Sequence, residues 1–325
     1  MIQIVGDALP QMPFEERASN DHSVLWRYSG NPVIARDGGV HANSVFNSAV
    51  VPFRDGFAGI FRVENLERVR FLHARLCPDG IRWHIASEPI VFSGGMTQDY
   101  GFDPRITRLE GKYYLTWCNG MNWEPTVGMA WTEDFRTFHQ MENVFLPYNR
   151  NGVLFPRKIQ GEYCMLSRPS DTGNTPFGNI YLSSSPDLIY WGRHREVMRP
   201  TRGWQRLKIG AGPAPLETDR GWLLIYHGVI QSCSGFLYSI GAALLDRENP
   251  SRVLARSKNL LMAPREIYEL TGDVPNVVFP CGMLVDAASG RLALYYGAAD
   301  TCVGLAFGNV EEIIDAIQAE TEQEG

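Results

Sequence analysis

Five segments of this chain repeat one pattern, a turn glycine followed at once by an apolar or aromatic run. They are Gly56-Phe-Ala-Gly-Ile-Phe61, Gly111-Lys-Tyr-Tyr-Leu-Thr-Trp117, Gly161-Glu-Tyr-Cys-Met-Leu166, Gly221-Trp-Leu-Leu-Ile-Tyr226 and Gly290-Arg-Leu-Ala-Leu-Tyr-Tyr296. Their glycines lie 55, 50, 60 and 69 residues apart, so five units fill nearly all of the 325 residues. Periods of this size, with room for several short strands each, belong to β-propellers. The expectation is an all-β fold: a single five-bladed β-propeller domain over residues 1–325. A weaker series agrees with it. Asp79…Trp83, Asp134…Phe138 and Asp187…Trp191 each set an Asp four residues before an aromatic, at spacings of 55 and 53. Short runs bounded by Gly, Pro, Asn and Asp also fit an all-β chain.

Two stretches stand outside the repeat. Residues 1 to about 30 form an N-terminal extension that contains prolines and wraps an edge. Residues 309–320 read as a C-terminal helix, because Val310, Ile313, Ile314 and Ile317 share one helical face. Asn309 can cap it, and Glu312 stands where a capping-box partner belongs. That helix packs on the propeller or on a neighbouring subunit.

Composition excludes several classes. Lys+Arg number 30 against 36 Asp+Glu, a net charge of −6, which argues against nucleic acid or a polybasic membrane contact as partner. No apolar stretch approaches the ~20 residues of a membrane span, and residues 1–16 lack the basic and apolar regions of a secretory leader. Cys77, Cys118, Cys164, Cys233, Cys281 and Cys302 form no CxxC pair and no zinc spacing. They read as reduced, buried thiols of a cytoplasmic protein. No P-loop, HExxH or GxSxG motif is present. The 8 Trp, 13 Tyr and 16 Phe supply rings on which sugars can stack.

The candidate site comes from following the repeated strands to their ends, where Arg62, Asn119, Arg168, His227 and Asp300 stand. Equivalent strands of a propeller line one central cavity, so five polar groups converge from five blades. Between the strands, Phe102-Asp103-Pro104 sets a carboxyl against an aromatic. Desolvation there raises its pKa and suits it to general-acid work. On the residues alone, an Asp-Pro turn is the stronger reading. Arg150 and Arg168 in polar loops can clamp a phosphate or carboxylate, with Lys208 and His227 completing an anion site. Each taken singly is equally a surface ion pair or, for His227, a core histidine.

The motifs Asn43-Ser-Val-Phe-Asn-Ser-Ala-Val-Val-Pro-Phe53, Phe102-Asp-Pro-Arg105, Tyr114-Leu-Thr-Trp-Cys-Asn-Gly120, Tyr148-Asn-Arg-Asn-Gly-Val-Leu-Phe-Pro-Arg-Lys158, Leu166-Ser-Arg-Pro-Ser-Asp171, Lys208-Ile-Gly-Ala-Gly-Pro213, Tyr226-His-Gly228 and Gly272-Asp-Val-Pro-Asn-Val277 resemble glycoside hydrolase family 130. These are the β-mannoside phosphorylases, and the likeness runs from about Leu25 to the C-terminal helix. It is nearest to members acting on β-1,4-mannooligosaccharides and β-1,4-mannosyl-N-acetylglucosamine.

The resemblance implies a propeller with a central site and an inverting reaction: a β-mannoside plus inorganic phosphate gives α-mannose 1-phosphate and a shortened acceptor. It implies that Asp103 is the general acid, its proton passing through the mannose 3-hydroxyl. Arg150, Arg168 and His227, with Lys208 nearby, match the phosphate positions. Asn43, Ser44, Arg62, Asn119 and Asp300 match contacts to the mannosyl unit. Tyr238, Pro275 and Asn276 fall where the acceptor sugar is held. The family likeness also implies a homo-oligomer, with no cofactor or metal and phosphate as co-substrate.

The chemistry is consistent with that implication. An inverting hydrolase needs an acid and a base. A phosphorylase needs the acid and a cationic pocket holding the anionic nucleophile in line. The alternatives are an inverting β-mannosidase on the same scaffold, a five-bladed furanosidase with three carboxylates, and a non-catalytic sugar-binding propeller.

Overall fold

The computed structural model describes residues 2–39, 41–94, 100–121, 124–170, 178–233 and 235–322. Five antiparallel sheets follow one another around an axis. After β1 (Leu25–Arg27), the first blade is β2 (Ser44–Phe53), β3 (Gly56–Glu64) and β4 (Arg70–Cys77). The second has β6 (Tyr100–Leu109), β7 (Lys112–Met121), β8 (Glu124–Thr132) and β9 (Phe138–Gln140), with β5 (Phe92–Ser93) added in parallel on the outside. The third is β10 (Asn149–Leu154), β11 (Tyr163–Pro169), β12 (Ile180–Ser185) and β13 (Gly192–Met198). The fourth contains β14 (Lys208–Ala211), β15 (Leu216–Thr218), β16 (Gly221–Ser232), β17 (Gly235–Leu245) and β18 (Val253–Arg256). The fifth is β19 (Val278–Val285), β20 (Arg291–Ala298) and β21 (Cys302–Asn309), and β1 pairs with β21 as its outermost strand. The N-terminal extension therefore supplies a strand that closes the ring.

The repeated glycines mark the turns that lead into each second strand. Between β6 and β7 the turn is Glu110-Gly111, with φ of 49° and 83°. Gln160-Gly161 repeats it at 52° and 84°. Two successive left-handed residues make the tight hairpin turn whose twist suits paired strands. The Asp series marks the exit from each third strand. Asp79, Asp134 and Asp187 each accept two backbone N–H bonds from the following turn. Asp246 and Asn309 do the same in the last two blades.

Packing between blades explains the apolar runs. Along β20, Leu292, Leu294, Tyr296 and Ala298 face the fourth blade, whereas Ala293 and Tyr295 face the first. A strand buried on both faces loses polar alternation, and the five inter-blade layers make up the core.

The C-terminal helix, α2 (Val310–Glu322), follows β21 directly. Val310, Ile313, Ile314 and Ile317 are fully buried against the fourth and fifth blades. Each such side chain contributes about 1.5–3 kcal/mol, so the helix face serves the core. Glu312 does not close a capping box; its carboxylate pairs with Arg17, and Asn309 caps alone. Five cysteines are buried free thiols, but Cys233 is exposed on the β16–β17 hairpin. Among the described residues no helix is long and apolar enough to cross a membrane.

Candidate active site

Three innermost strands carry the same irregularity. Register slips in β2 between Phe46 and Ala49, in β6 between Phe102 and Arg105, and in β10 between Arg150 and Val153. Each bulge holds one polar residue in left-handed backbone: Asn47 (φ 47°), Asp103 (φ 55°) and Asn151 (φ 52°). Asn and Asp tolerate this region better than other side-chain-bearing residues, and a bulge re-aims its side chain out of strand alternation. Asp103 therefore lies inside a strand, and the Asp-Pro loop turn suggested by its sequence is not formed.

The Asp103 carboxylate takes two donors on one oxygen. Asn47 Nδ2 donates to Oδ1 at 2.7 Å and the Arg62 guanidinium at 3.0 Å. Among the described residues none bonds Oδ2. Burial alone pushes the Asp103 pKa up, as the Phe102-Asp103-Pro104 sequence suggested. Arg62, Arg105 and the Asn47 bond outweigh it and hold the carboxyl below the ordinary carboxylate value. The expectation of a raised pKa is thus corrected: in the free protein Asp103 is ionised.

The raised carboxyl is Asp300, left-handed at φ 48° in the turn after β20. Burial pushes it up to about 6; Arg62 partly offsets this, and the negative charge of Asp103 adds to it. Arg62 lies between these groups, over the rings of Phe46 and Phe102 at 4.2 and 5.0 Å, with Glu64 at 3.6 Å.

Arg150, Arg168, Lys208 and His227 form a second group, contributed by β10, β11, β14 and β16. Arg150 and Arg168 are register partners, as are Gly210 and His227. Arg168 donates to His227 Nε2 at 3.0 Å, which puts the imidazole proton on Nδ1. His227 sits in mid-strand, since β16 runs on to Ser232. Burial, then Arg168, Arg105 and Lys208, drive its pKa well below the usual value, so it is neutral. Burial and Arg150 lower Arg168 to about 10, and burial with both arginines lowers Lys208 to about 8. Among the described residues, none of Arg150, Arg168 and Lys208 has a carboxylate partner. Desolvated cations facing one another are costly unless an anion completes the group.

The remaining candidates belong to the start of the first blade and to the segments around β17 and β19. Asn43 Nδ2 donates to Asp273 at 2.5 Å and to Ser44 Oγ at 3.2 Å. The backbone N–H of Tyr238 donates to the Asn276 carbonyl at 3.0 Å, and Pro275 adjoins it. The Tyr238 ring lies 5.8 Å from that of His227, and burial raises its hydroxyl pKa to about 12. Asn119 stands apart. Its amide accepts from Trp117 Nε1 and donates to Asn143 Oδ1, and no described contact joins it to Asp103 or to the cations. Asp171, the last residue of one motif, lies outside the described residues. No three His, Cys, Asp or Glu side chains gather as a metal site among the described residues.

Three residues at the candidate site stand outside the sequence reading. Asn47 holds Asp103, and Asn151 occupies the equivalent bulge beside Arg150. Arg105 is fully buried, donates to the carbonyls of Gly212, Ala211, Asp103 and Pro104, and lies 5.4 Å from the Phe279 ring centre. Only Asn47 carries a signal of its own, an amide inside the largely apolar strand Ser44–Phe53.

The profile of glycoside hydrolase family 130, described as β-1,4-mannooligosaccharide phosphorylase, matches residues 8–319. A β-1,4-mannooligosaccharide phosphorylase of Ruminococcus albus is 51% identical over 97% of this chain and 97% of that protein. A β-1,2-mannobiose phosphorylase of Listeria innocua is 31% identical over 81% of this chain and 72% of that protein. The solved structure of a Listeria innocua β-1,2-mannobiose phosphorylase in complex with β-1,2-mannobiose superposes with a TM-score of 0.82. It is 25% identical and covers 91% of this chain and 99% of that one. The chain belongs to glycoside hydrolase family 130.

Proposed function

We propose that the protein is an inverting phosphorylase that cleaves β-1,4-linked mannosides with inorganic phosphate, releasing α-mannose 1-phosphate and a shortened acceptor. The observation that carries this reading is the group of Arg150, Arg168 and Lys208 around a neutral His227, with no carboxylate in salt-bridge contact among the described residues. A phosphate dianion supplies the counter-charge. An inverting hydrolase needs instead a second carboxylate base for water. Asp300, the other buried carboxyl beside Asp103, is held towards neutrality and interacts with Arg62 rather than with the cations. The β-1,4 linkage rests on the Ruminococcus albus relative, named for that activity.

In the proposed reaction a phosphate oxygen, held by Arg150, Arg168, Lys208 and His227, forms a bond to the anomeric carbon from the α face. The glycosidic C–O bond breaks, and the leaving oxygen takes a proton that originates on Asp103. Asn47 and Arg62 both occupy Oδ1, so Oδ2 carries that proton. Asp103 is ionised while the site is empty and must be charged with a proton first. Phosphate cancels the field of Arg168, which interacts with Asp103 across the cavity, and adds negative charge nearby. Both effects raise the Asp103 pKa in the ternary complex.

Arg62, Asp300, Asn43, Ser44 and Asn119 are assigned to the mannosyl unit, and Tyr238, Pro275 and Asn276 to the acceptor. A cytoplasmic homo-oligomer without metal or cofactor completes the proposal, supported by the family resemblance and by the cysteine usage.

The test is product analysis with β-1,4-mannobiose and β-1,4-mannosyl-N-acetylglucosamine, each with and without phosphate. Strictly phosphate-dependent mannose 1-phosphate is expected, and the faster substrate names the acceptor. Free mannose formed without phosphate would overturn the assignment of the cation group.

A further inference from the structure

Asp273 lies in the segment that carries Pro275 and Asn276, between α1 (Ile267–Leu270) and β19. Residues 272–276 form a strap beside Asp300, docked on two sides. The Asp273 N–H donates to Thr301 Oγ1 at 3.0 Å and the Val274 N–H to the Ala299 carbonyl at 3.1 Å, on either side of Asp300. At the far end the Asn276 carbonyl accepts from the Tyr238 N–H. Gly272 makes the approach possible: a Cβ there would fall 2.3 Å from Thr301 Oγ1 and 2.4 Å from the Ala299 carbonyl oxygen.

The carboxylate of Asp273 reaches residues next to the first blade. Its Oδ1 accepts from Arg36 at 2.6 Å, and its Oδ2 from Asn43 Nδ2 at 2.5 Å and from Arg68 at 2.7 Å. Arg36 also donates to Asn43 Oδ1 at 3.2 Å and to the Asn43 backbone carbonyl at 3.0 Å. The Asn43 amide is thereby fixed, NH₂ towards Asp273 and carbonyl towards Arg36. Arg68 continues through Glu64 to Arg62 and so to Asp103. An exposed ion pair by itself adds little. Here three donors from separate parts of the chain converge on one carboxylate that is 20% exposed.

We propose that Asp273 is a positioning residue that locks the acceptor strap to the mannosyl-binding Asn43, so that both rings of the disaccharide meet one pre-formed surface. This deepens the mannoside phosphorylase reading and rests on it. It gives the strap a role distinct from phosphate binding, because none of the atoms tied by Asp273 belongs to the cation group.

The experiment compares the wild type with Asp273→Asn in both reaction directions. Losing the charge-assisted bonds should raise KM for β-1,4-mannobiose about tenfold, and KM for the acceptor sugar in synthesis likewise. KM for phosphate should stay within about twofold. Parallel rises in the phosphate and mannoside KM, or an unchanged mannoside KM, would overturn the proposal. Should Asp273→Asn fail to fold, Arg68→Gln removes one half-exposed donor. A rise of about threefold confined to the mannoside and acceptor is then expected, and no change counts against the lock. If the wild type forms no mannose 1-phosphate, the phosphorylase reading fails by itself. The lock is then read by calorimetry with β-1,4-mannobiose, whose binding Asp273→Asn must weaken.

Discussion

Asp300→Asn offers a direct check on the electrostatics of the site. The Asp300 carboxyl titrates at about 6 instead of 3.8 because the site buries it beside Asp103. Keeping it ionised in the folded protein therefore costs about two pH units of binding free energy, or ~3 kcal/mol. The sign follows from the direction of the shift. Below pH 4 the group is neutral in both folded and unfolded chains and costs nothing. As pH rises from 4 to 6 the unfolded chain ionises first, stability is lost, and the loss levels off above pH 6. Asparagine has the same shape and no charge to bury, so the variant escapes the loss. The attraction of Arg62 is already contained in the value of about 6, so ~3 kcal/mol is the whole electrostatic gain; an amide that fits the hydrogen-bonding of the site less well than the carboxyl makes a gain of about 1–3 kcal/mol the expectation at pH 8. Urea unfolding followed by tryptophan fluorescence at pH 5, 6, 7 and 8 measures it. The variant should be the more stable protein at pH 8, the advantage should shrink towards pH 5, and mannoside binding should be poorer at every pH. A variant less stable than the wild type at pH 8, or an offset that does not vary with pH, would refute the reasoning. The expected pairing of better stability with worse binding is the usual trade at a strained functional site.

Asp103→Asn should lower turnover by ~10²–10⁴-fold, the range for loss of a general acid, whereas a sugar-binding propeller would keep its affinity; turnover and calorimetric binding together decide. Arg168→Ala should raise KM for phosphate far more than KM for the mannoside in steady-state phosphorolysis, and equal effects would remove it from the anion site. Gly297→Ala should cost about 1–3 kcal/mol in unfolding experiments and most of the turnover. A Cβ there would fall 1.8 Å from Asn47 Oδ1 and push Asn47 off Asp103.

Much of the architecture is legible in the sequence because it is written in turn chemistry. Hairpin glycines such as Gly111 and Gly161 recur because left-handed backbone favours glycine, and Asp79, Asp134 and Asp187 recur because each ties up a turn. The same logic extends to Asp246, and Asn309, legible as a helix cap, is its counterpart in the fifth blade. The helix face at Ile313 and Ile317 is legible as periodicity, although only the packing shows that it serves the core. The strand-end rule led to Arg62, Arg168 and Asp300. It gave no warning that His227 lies in mid-strand or that the Asn119 amide is taken up by Trp117 and Asn143. The bulges at Asn47, Asp103 and Asn151 are invisible to it, since one extra residue in a strand leaves no periodic trace. The local sequence misleads on the Asp103 pKa for a related reason. The local sequence shows the flanking Phe102 and Pro104, whereas the charge that decides the matter sits on Arg62, 41 residues away in the chain.

The pairing of β1 with β21 also sets an order of events when the chain folds. Most paired strands within a blade are neighbours in sequence, and such local contacts form fast because little loop entropy is lost in closing them. The longest-range pairing is the seam, where Leu25 pairs with Gly308. Blades can therefore assemble piecemeal while the seam stays open, and the central cavity, walled by all of them, takes its shape last. Refolding protein should regain its β-sheet signal before its catalytic power, with the delay set by the meeting of two distant ends.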